Sequence, residues 1–295
     1  MKDTKMQAME NVDTLEVIAS HKALGADIAG IDLSKPLSAH QLDTIRQAWQ
    51  EHLVLRFRNQ GHVSFEQQIA FSKHFGPLDK RPTVSHGMSK THDELPPEIA
   101  VISNVKVGGV PVGALGDGEA VWHADMTYNE FPPKGACLFS KEVPPSGGDT
   151  HFANMYMAYD SLSDELKQRI QHLSCVHDAS RNSAGELRLG FTDNTDPTQT
   201  VGAVHPLVTT QPQTGKKALM LGRRRNAYIK GLALQESESL LDALWAHATQ
   251  DRFTWTQVWT VGDVMMWDNT CTLHKRDAFD PHSRRLMYRT QIASR

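Results

Sequence analysis

His123 and Asp125, in the stretch Trp122-His123-Ala124-Asp125, are of the types and at the spacing that can hold a metal ion. On an extended strand, side chains at i and i+2 point the same way. One imidazole nitrogen and one carboxylate oxygen on a single side supply two ligands. His-x-Asp also arises by chance, and the chain carries 15 His, so the pair alone makes no site. His274, following Trp267-Asp268-Asn269-Thr270-Cys271-Thr272-Leu273, is the candidate third ligand. Two imidazoles and one carboxylate leave coordination positions open, the arrangement of non-heme Fe(II) oxygenases. The same donors can hold Zn²⁺ with an open position, as in a hydrolase.

The surrounding pattern says which elements must place these groups. Leu15-Glu16-Val17-Ile18 and residues 23–33 read as an edge strand or hairpin. Ser38 is an N-cap for apolar residues at helical spacing over 41–49, and Ser64 caps a second helix that Gly76-Pro77 ends. Short strands are expected at 53–57, 100–102, 135–139, 204–209, 218–221, 264–267 and 285–292. Ser161 caps a helix over 161–170, and 237–247 is another amphipathic helix. Residues 108–118 are a glycine-rich run. It lacks the Lys-Ser/Thr ending of a phosphate loop, and no helix follows, so that reading is rejected. Polar stretches at 80–97 and 178–203 read as inserts able to cover a pocket. Short strands bearing the polar constellation, with helices at the start and in inserts, predict a mainly β fold. It would be a double-stranded β-helix (jelly roll) flanked by α-helices, with 1–13 a flexible arm and 14–295 one domain.

Composition narrows the partners. Of 295 residues 39% are hydrophobic and 22% charged, with net charge −3, so no basic field points to nucleic acid. Three widely spaced cysteines without a CxxC argue against a disulfide framework and for a reducing, cytoplasmic setting. No apolar run reaches membrane-spanning length, and Met1 to Asn11 has no signal-like apolar core.

Several motifs in order, together with the candidate triad, resemble one family. They are Leu24-Gly25-Ala26-Asp27-Ile28, Phe75-Gly76-Pro77-Leu78, Trp122-His123-Ala124-Asp125, Gly147-Gly148-Asp149-Thr150, His205-Pro206-Leu207-Val208, Thr214-Gly215-Lys216, Trp267-Asp268-Asn269 with His274, and Arg285 with Arg289. The family is that of taurine dioxygenase and 2,4-dichlorophenoxyacetate dioxygenase, which are Fe(II)- and 2-oxoglutarate-dependent, and the resemblance runs from about residue 22 to the C-terminus. It implies that His123, Asp125 and His274 hold iron. It also implies that Arg285 and Thr150 bind the distal carboxylate of 2-oxoglutarate, with Arg289 at the boundary of cofactor and substrate. A guanidinium fork suits a carboxylate. Trp267 is expected to pack beside the metal. The implied chemistry couples decarboxylation of 2-oxoglutarate, with O2, to hydroxylation of a small molecule, giving succinate and CO2. Hydroxylation beside a heteroatom would then permit C–O or C–S cleavage. Asp125 argues against a halogenase, which lacks that carboxylate.

Alignment by motif sets Met126, Tyr128, Asp79, Arg81 and the run Arg223-Arg224-Arg225 near the substrate. Arg223 or Arg225, with Arg289, is expected to meet a carboxylate, sulfonate or sulfate, so the substrate is expected to be anionic. The alternative for any such run is a solvated face. A zinc hydrolase leaves Thr150, Arg285 and Arg289 without a role. A non-catalytic jelly-roll binding protein leaves the triad without one. Family analogy suggests a homodimer or homotetramer.

Overall fold

The computed structural model describes residues 15–81, 94–212 and 214–295. The expected N-terminal arm, and 82–93 within the first expected insert, lie outside the described residues. An eight-stranded sheet runs in the order Glu16–Ala19, Ala26–Ala29, Val54–Phe57, Val264–Asp268, Gly135–Glu142, Leu286–Ile292, Ala100–Ser103, Ala114–Leu115. A four-stranded sheet runs Thr254–Gln257, Thr150–Asn154, Thr272–Arg276, Ala120–His123. Pairing is antiparallel except where Ala26–Ala29 meets Val54–Phe57 and Ala100–Ser103 meets Ala114–Leu115. The jelly-roll expectation holds.

The period-two pattern explains how the large sheet is covered on both faces. Along Val264–Asp268, Met265 and Trp267 join one core with Leu138, Phe152, Leu273 and Met287, packed between the sheets. Val264 and Met266 join a second core with Cys137, Phe139, Ile45 and Trp49, under the first two helices. Each such fully buried side chain contributes about 1.5–3 kcal/mol relative to exposure. The helices Ala39–His52 and Phe65–Lys73 start where expected. Ser38 with Gln41, and Ser64 with Gln67, form reciprocal capping boxes.

Three helix boundaries differ from the sequence reading. Met155–Asp160 is a helix of its own that ends at Ser161, and Asp164–Ile170 begins after Ser163. Ser163, not Ser161, accepts the Leu166 N–H. The helix expected at 237–247 spans Leu234–Ala248, and Ser237, inside it, binds the Ile229 N–H instead of capping. All three cysteines are buried free thiols. Among the described residues no helix is long and apolar enough to cross a membrane.

Candidate active site

The triad sits on the small sheet. His123 ends Ala120–His123 and lies directly across from His274 on Thr272–Arg276. Asp125 follows two residues later, and all three are buried. One ligand atom from each lies within 4.8 Å of the others, the one such group of His, Cys, Asp or Glu among the described residues. The His123 Nδ1 is 2.7 Å from the Val121 carbonyl, which can only accept, so Nδ1 carries the proton and Nε2 offers its lone pair. That Nε2 is 3.7 Å from the Asp125 carboxylate, and the His274 Nε2 is 3.9 Å from it. Trp267 and Phe152 pack on the His274 ring at centroid distances of 5.2 and 5.9 Å.

The electrostatics suit a cation. Burial, and then the neighbouring His123 ring, push the His274 imidazole down to about 3, so that ring is neutral at neutral pH. Burial alone would raise the Asp125 carboxyl. The Arg289 guanidinium, then the two imidazoles, outweigh it and hold the group ionised, well below the usual carboxylate range. Arg289 Nη1 lies 3.0 and 3.2 Å from the two Asp125 oxygens. The lone pair on the His123 Nε2, the neutral His274 ring and an anionic carboxylate, converging and buried, fit a divalent first-row metal.

Local backbone chemistry holds these ligands still. The Asn269 Oδ1 accepts the Asp125 N–H at 2.7 Å, and its Nδ2 donates to the Asp125 and Pro133 carbonyls at 2.9 and 3.0 Å. The Gly222 carbonyl accepts the Ala124 N–H, and Arg223 bridges His123 through the backbone. Gly222 has φ +67°, and a Cβ there would overlap the buried His177 ring.

A second group of residues joins Thr150, at the start of Thr150–Asn154 in the small sheet, to Arg285, immediately before Leu286–Ile292 in the large one. Arg285 is 2% exposed, and its Nε and Nη1 have no hydrogen-bond partner. Burial, and then the Arg276 charge, push its guanidinium down to about 9, with Asp149 partly opposing. Its backbone is clamped, the N–H by Asn104 and the carbonyl by Ser103. The Thr150 hydroxyl accepts the Trp259 indole N–H at 3.0 Å, which leaves its own O–H free to donate. The Trp259 ring is 5.9 Å from the Arg285 guanidinium. Gly147 and Gly148, at φ +73° and +68°, let the turn approach Ala278, Phe279 and the Arg285 side chain.

The expected substrate residues divide. Met126, at φ +51°, turns the chain beyond Asp125, and the Tyr128 ring lies under the Arg188 guanidinium at 3.8 Å. Arg223 donates to the Arg181 and Asp178 carbonyls, tying residues 178–203 to the metal strand. Arg224 is held by Glu238 and Asp242. Arg225 is exposed and acts on Asp193, and no contact draws it to the triad. Arg81 donates to the Leu95, Pro96 and Ile99 carbonyls. Asp79 donates its backbone N–H to Gln291, and burial raises its carboxyl. Sequence reasoning gave no role to Asn269, Trp259, Arg276 or Arg188. Asn269 stood inside a quoted motif, but Trp259 and Arg276 had only their residue type as a signal.

A profile of the taurine catabolism dioxygenase TauD/TfdA family matches residues 16–291. The chain belongs to the TauD/TfdA dioxygenase family. It is 35% identical over 288 residues, 91% of each chain, to an (S)-phenoxypropionate/alpha-ketoglutarate-dioxygenase of Sphingobium herbicidovorans. It is 32% identical over 262 residues, covering 85% of this chain and 80% of the other, to an alpha-ketoglutarate-dependent sulfate ester dioxygenase of Pseudomonas putida. Among solved structures it resembles AAD-2 in complex with Mn(II) and N-oxalylglycine. The TM-score is 0.75 at 31% identity, covering 95% of this chain and 97% of that one.

Proposed function

We propose that this chain is an Fe(II)- and 2-oxoglutarate-dependent dioxygenase that hydroxylates a small anionic organic molecule. The observation that carries the reading is a buried two-His, one-carboxylate cluster together with a buried arginine, Arg285, that lacks a carboxylate partner and shares the Trp259 indole with Thr150 of the small sheet. In this reading His123, Asp125 and His274 hold Fe(II). When bound, the metal supplies O2 activation coupled to decarboxylation of 2-oxoglutarate, yielding succinate, CO2 and a hydroxylated product. Arg285 and the Thr150 O–H bind the distal carboxylate of 2-oxoglutarate. Arg289 holds the Asp125 carboxylate in place and, at the substrate boundary, offers positive charge to an anionic group. Trp267 keeps the His274 ring oriented and excludes water from that side. Exclusion of water protects reactive intermediates from side reactions.

Met126, Tyr128 and Arg223 line the approach, and Arg223 is the member of its run that we assign to substrate recognition. It is half-buried with its backbone bridged to His123, whereas Arg225 is exposed. We assign Asp79 and Arg81 to shaping the neighbouring loop. Relatives named for phenoxypropionate and for sulfate esters support an anion on the substrate without choosing between carboxylate and sulfate. Where hydroxylation falls beside oxygen or sulfur, the product fragments. The buried free thiols favour a cytoplasmic enzyme. A homodimer or homotetramer is the assembly we expect, read by light scattering.

The test is succinate formation from 2-oxoglutarate under Fe(II) and O2, with a panel of aryloxyalkanoates, alkylsulfonates and alkyl sulfate esters. Turnover should need both metal and O2, and His123→Ala should abolish it. Hydrolysis that needs neither O2 nor 2-oxoglutarate would overturn the reading in favour of a hydrolase. Arg223→Ala should raise KM for the anionic substrate, and unchanged kinetics would remove Arg223 from recognition.

A further inference from the structure

We propose that Arg276 is a second arginine of the 2-oxoglutarate pocket, gripping the distal carboxylate opposite Arg285. The inference rests on the dioxygenase reading and deepens it. Arg276 sits two residues beyond His274 on Thr272–Arg276, so the two share a face of the strand. In the cross-strand register it lies directly opposite Thr150. Directly opposed residues place their side chains on one face of the sheet. The strand thus sets a line from the metal ligand His274 to the Thr150 and Arg285 end, and Arg276 stands at that end.

Packing joins the two arginines. The Phe279 ring is 5.5 Å from the Arg276 guanidinium. A Cβ on Gly148 would touch both that ring, at 3.3 Å, and the Arg285 Cδ, at 3.4 Å. Arg276 is 5% exposed and Arg285 2%. In each, Nε and Nη1 are buried without a hydrogen-bond partner. Neither has a carboxylate at ion-pair distance among the described residues. Asp117 and Asp149 act on them only through longer-range attraction. Arg276 Nη2 is tied to the Leu115 and Gly118 carbonyls, which fixes the guanidinium in place.

Two buried cations that repel one another are costly unless an anion comes between them. A carboxylate offers about four lone-pair sites. Two guanidinium groups and the Thr150 hydroxyl can fill them. The pocket is therefore built for a dicarboxylate, and its selectivity against 2-oxo acids without a distal carboxylate depends on both arginines. Anchoring of the Leu115–Gly118 loop alone would explain the Nη2 bonds but not the four unpartnered nitrogens.

The experiment is calorimetric binding, without O2, to the Mn(II)-loaded protein. The ligands are 2-oxoglutarate, N-oxalylglycine and 2-oxobutyrate, which keeps the oxo-acid end and lacks the distal carboxylate. Arg276→Gln should weaken 2-oxoglutarate and N-oxalylglycine by about tenfold to a hundredfold, the range for a lost charge-assisted hydrogen bond. It should leave 2-oxobutyrate unchanged. Arg276→Lys should recover part of the loss, and it serves as the test variant if Gln fails to fold. Wild-type affinity in a folded variant overturns the proposal, as does equal weakening of all three ligands, which marks a loop anchor only. If the wild-type protein binds no 2-oxoglutarate, the dioxygenase reading falls as well.

Discussion

Asn269→Ala tests whether the metal centre depends on a side chain that never touches the metal. Asn269 is 2% exposed, and its amide makes three hydrogen bonds, two of them to the backbone of Asp125. Truncation leaves one N–H and two carbonyls buried and unmet. At about 1–3 kcal/mol for each unsatisfied group, the loss is roughly 3–9 kcal/mol if the space stays dry. A water entering the polar gap and bonding two of the three would reduce it to about 1–3 kcal/mol. Against total stabilities of about 5–15 kcal/mol, the variant should fold at neutral pH with a visibly lower denaturant midpoint. Loosening the Asp125 backbone should also weaken metal binding by about 10–100-fold, the usual effect of removing an outer partner of a ligand. Asn269→Asp sharpens the test. It keeps the shape and the acceptor for the Asp125 N–H but sets an oxygen against two carbonyls. If Asn269 merely fills space, Asp should behave like wild type. If its hydrogen bonds position Asp125, Asp should weaken Mn(II) at least as much as Ala does. Calorimetric titration of both variants decides, and an Asp variant within threefold of wild type (roughly 0.6 kcal/mol) would refute the positioning role.

Two further outcomes follow from the same geometry. Trp259→Phe keeps a ring but removes the N–H that engages the Thr150 hydroxyl. Loss of a neutral hydrogen bond of about 0.5–1.5 kcal/mol should raise the Kd for 2-oxoglutarate about 2–10-fold while substrate KM holds, and an unaltered Kd would exclude Trp259 from positioning Thr150. Burial, then the His205 and Arg223 charges, push the His177 imidazole down to about 3. Because the unfolded chain then takes up the proton first, stability is full above pH about 6.5 and falls as pH drops from there toward 3. At pH 5 the cost is about 2 kcal/mol from this residue. His274 in the metal-free protein adds a loss in the same direction. Urea unfolding of metal-free wild type and His177→Asn at pH 7 and 5 should show a flatter pH dependence in the variant, and parallel curves would show that His177 does not carry it.

What could be read from the sequence was what depends on local spacing. Ser38 and Ser64 announced their helices because each has a Gln three residues on that completes a capping box. Ser161 misled because Ser163 competes for the same role two residues later, and the preceding helix Met155–Asp160 runs into Ser161 first. The triad was legible because a His two residues before an Asp can bring both ligands together. The expected shared strand face is not what does it, since the strand ends at His123 and Asp125 stands in the turn beyond, with His274 directly across from His123. Charge partners were not legible. Arg223, Arg224 and Arg225 are identical in type and adjacent, yet one binds backbone carbonyls, one pairs with acids on the helix Leu234–Ala248, and one meets solvent. The chain twists there, with Asn226 at φ +56°, so no simple alternation assigns their directions. Arg276 makes the same point at the pocket. Its residue type reads as an ordinary surface cation, and only the pairing of Thr272–Arg276 with Thr150–Asn154 brings it opposite Thr150. A buried cation without an acid beside it is then informative, because its cost in the folded protein has to be offset by a ligand the chain does not itself contain.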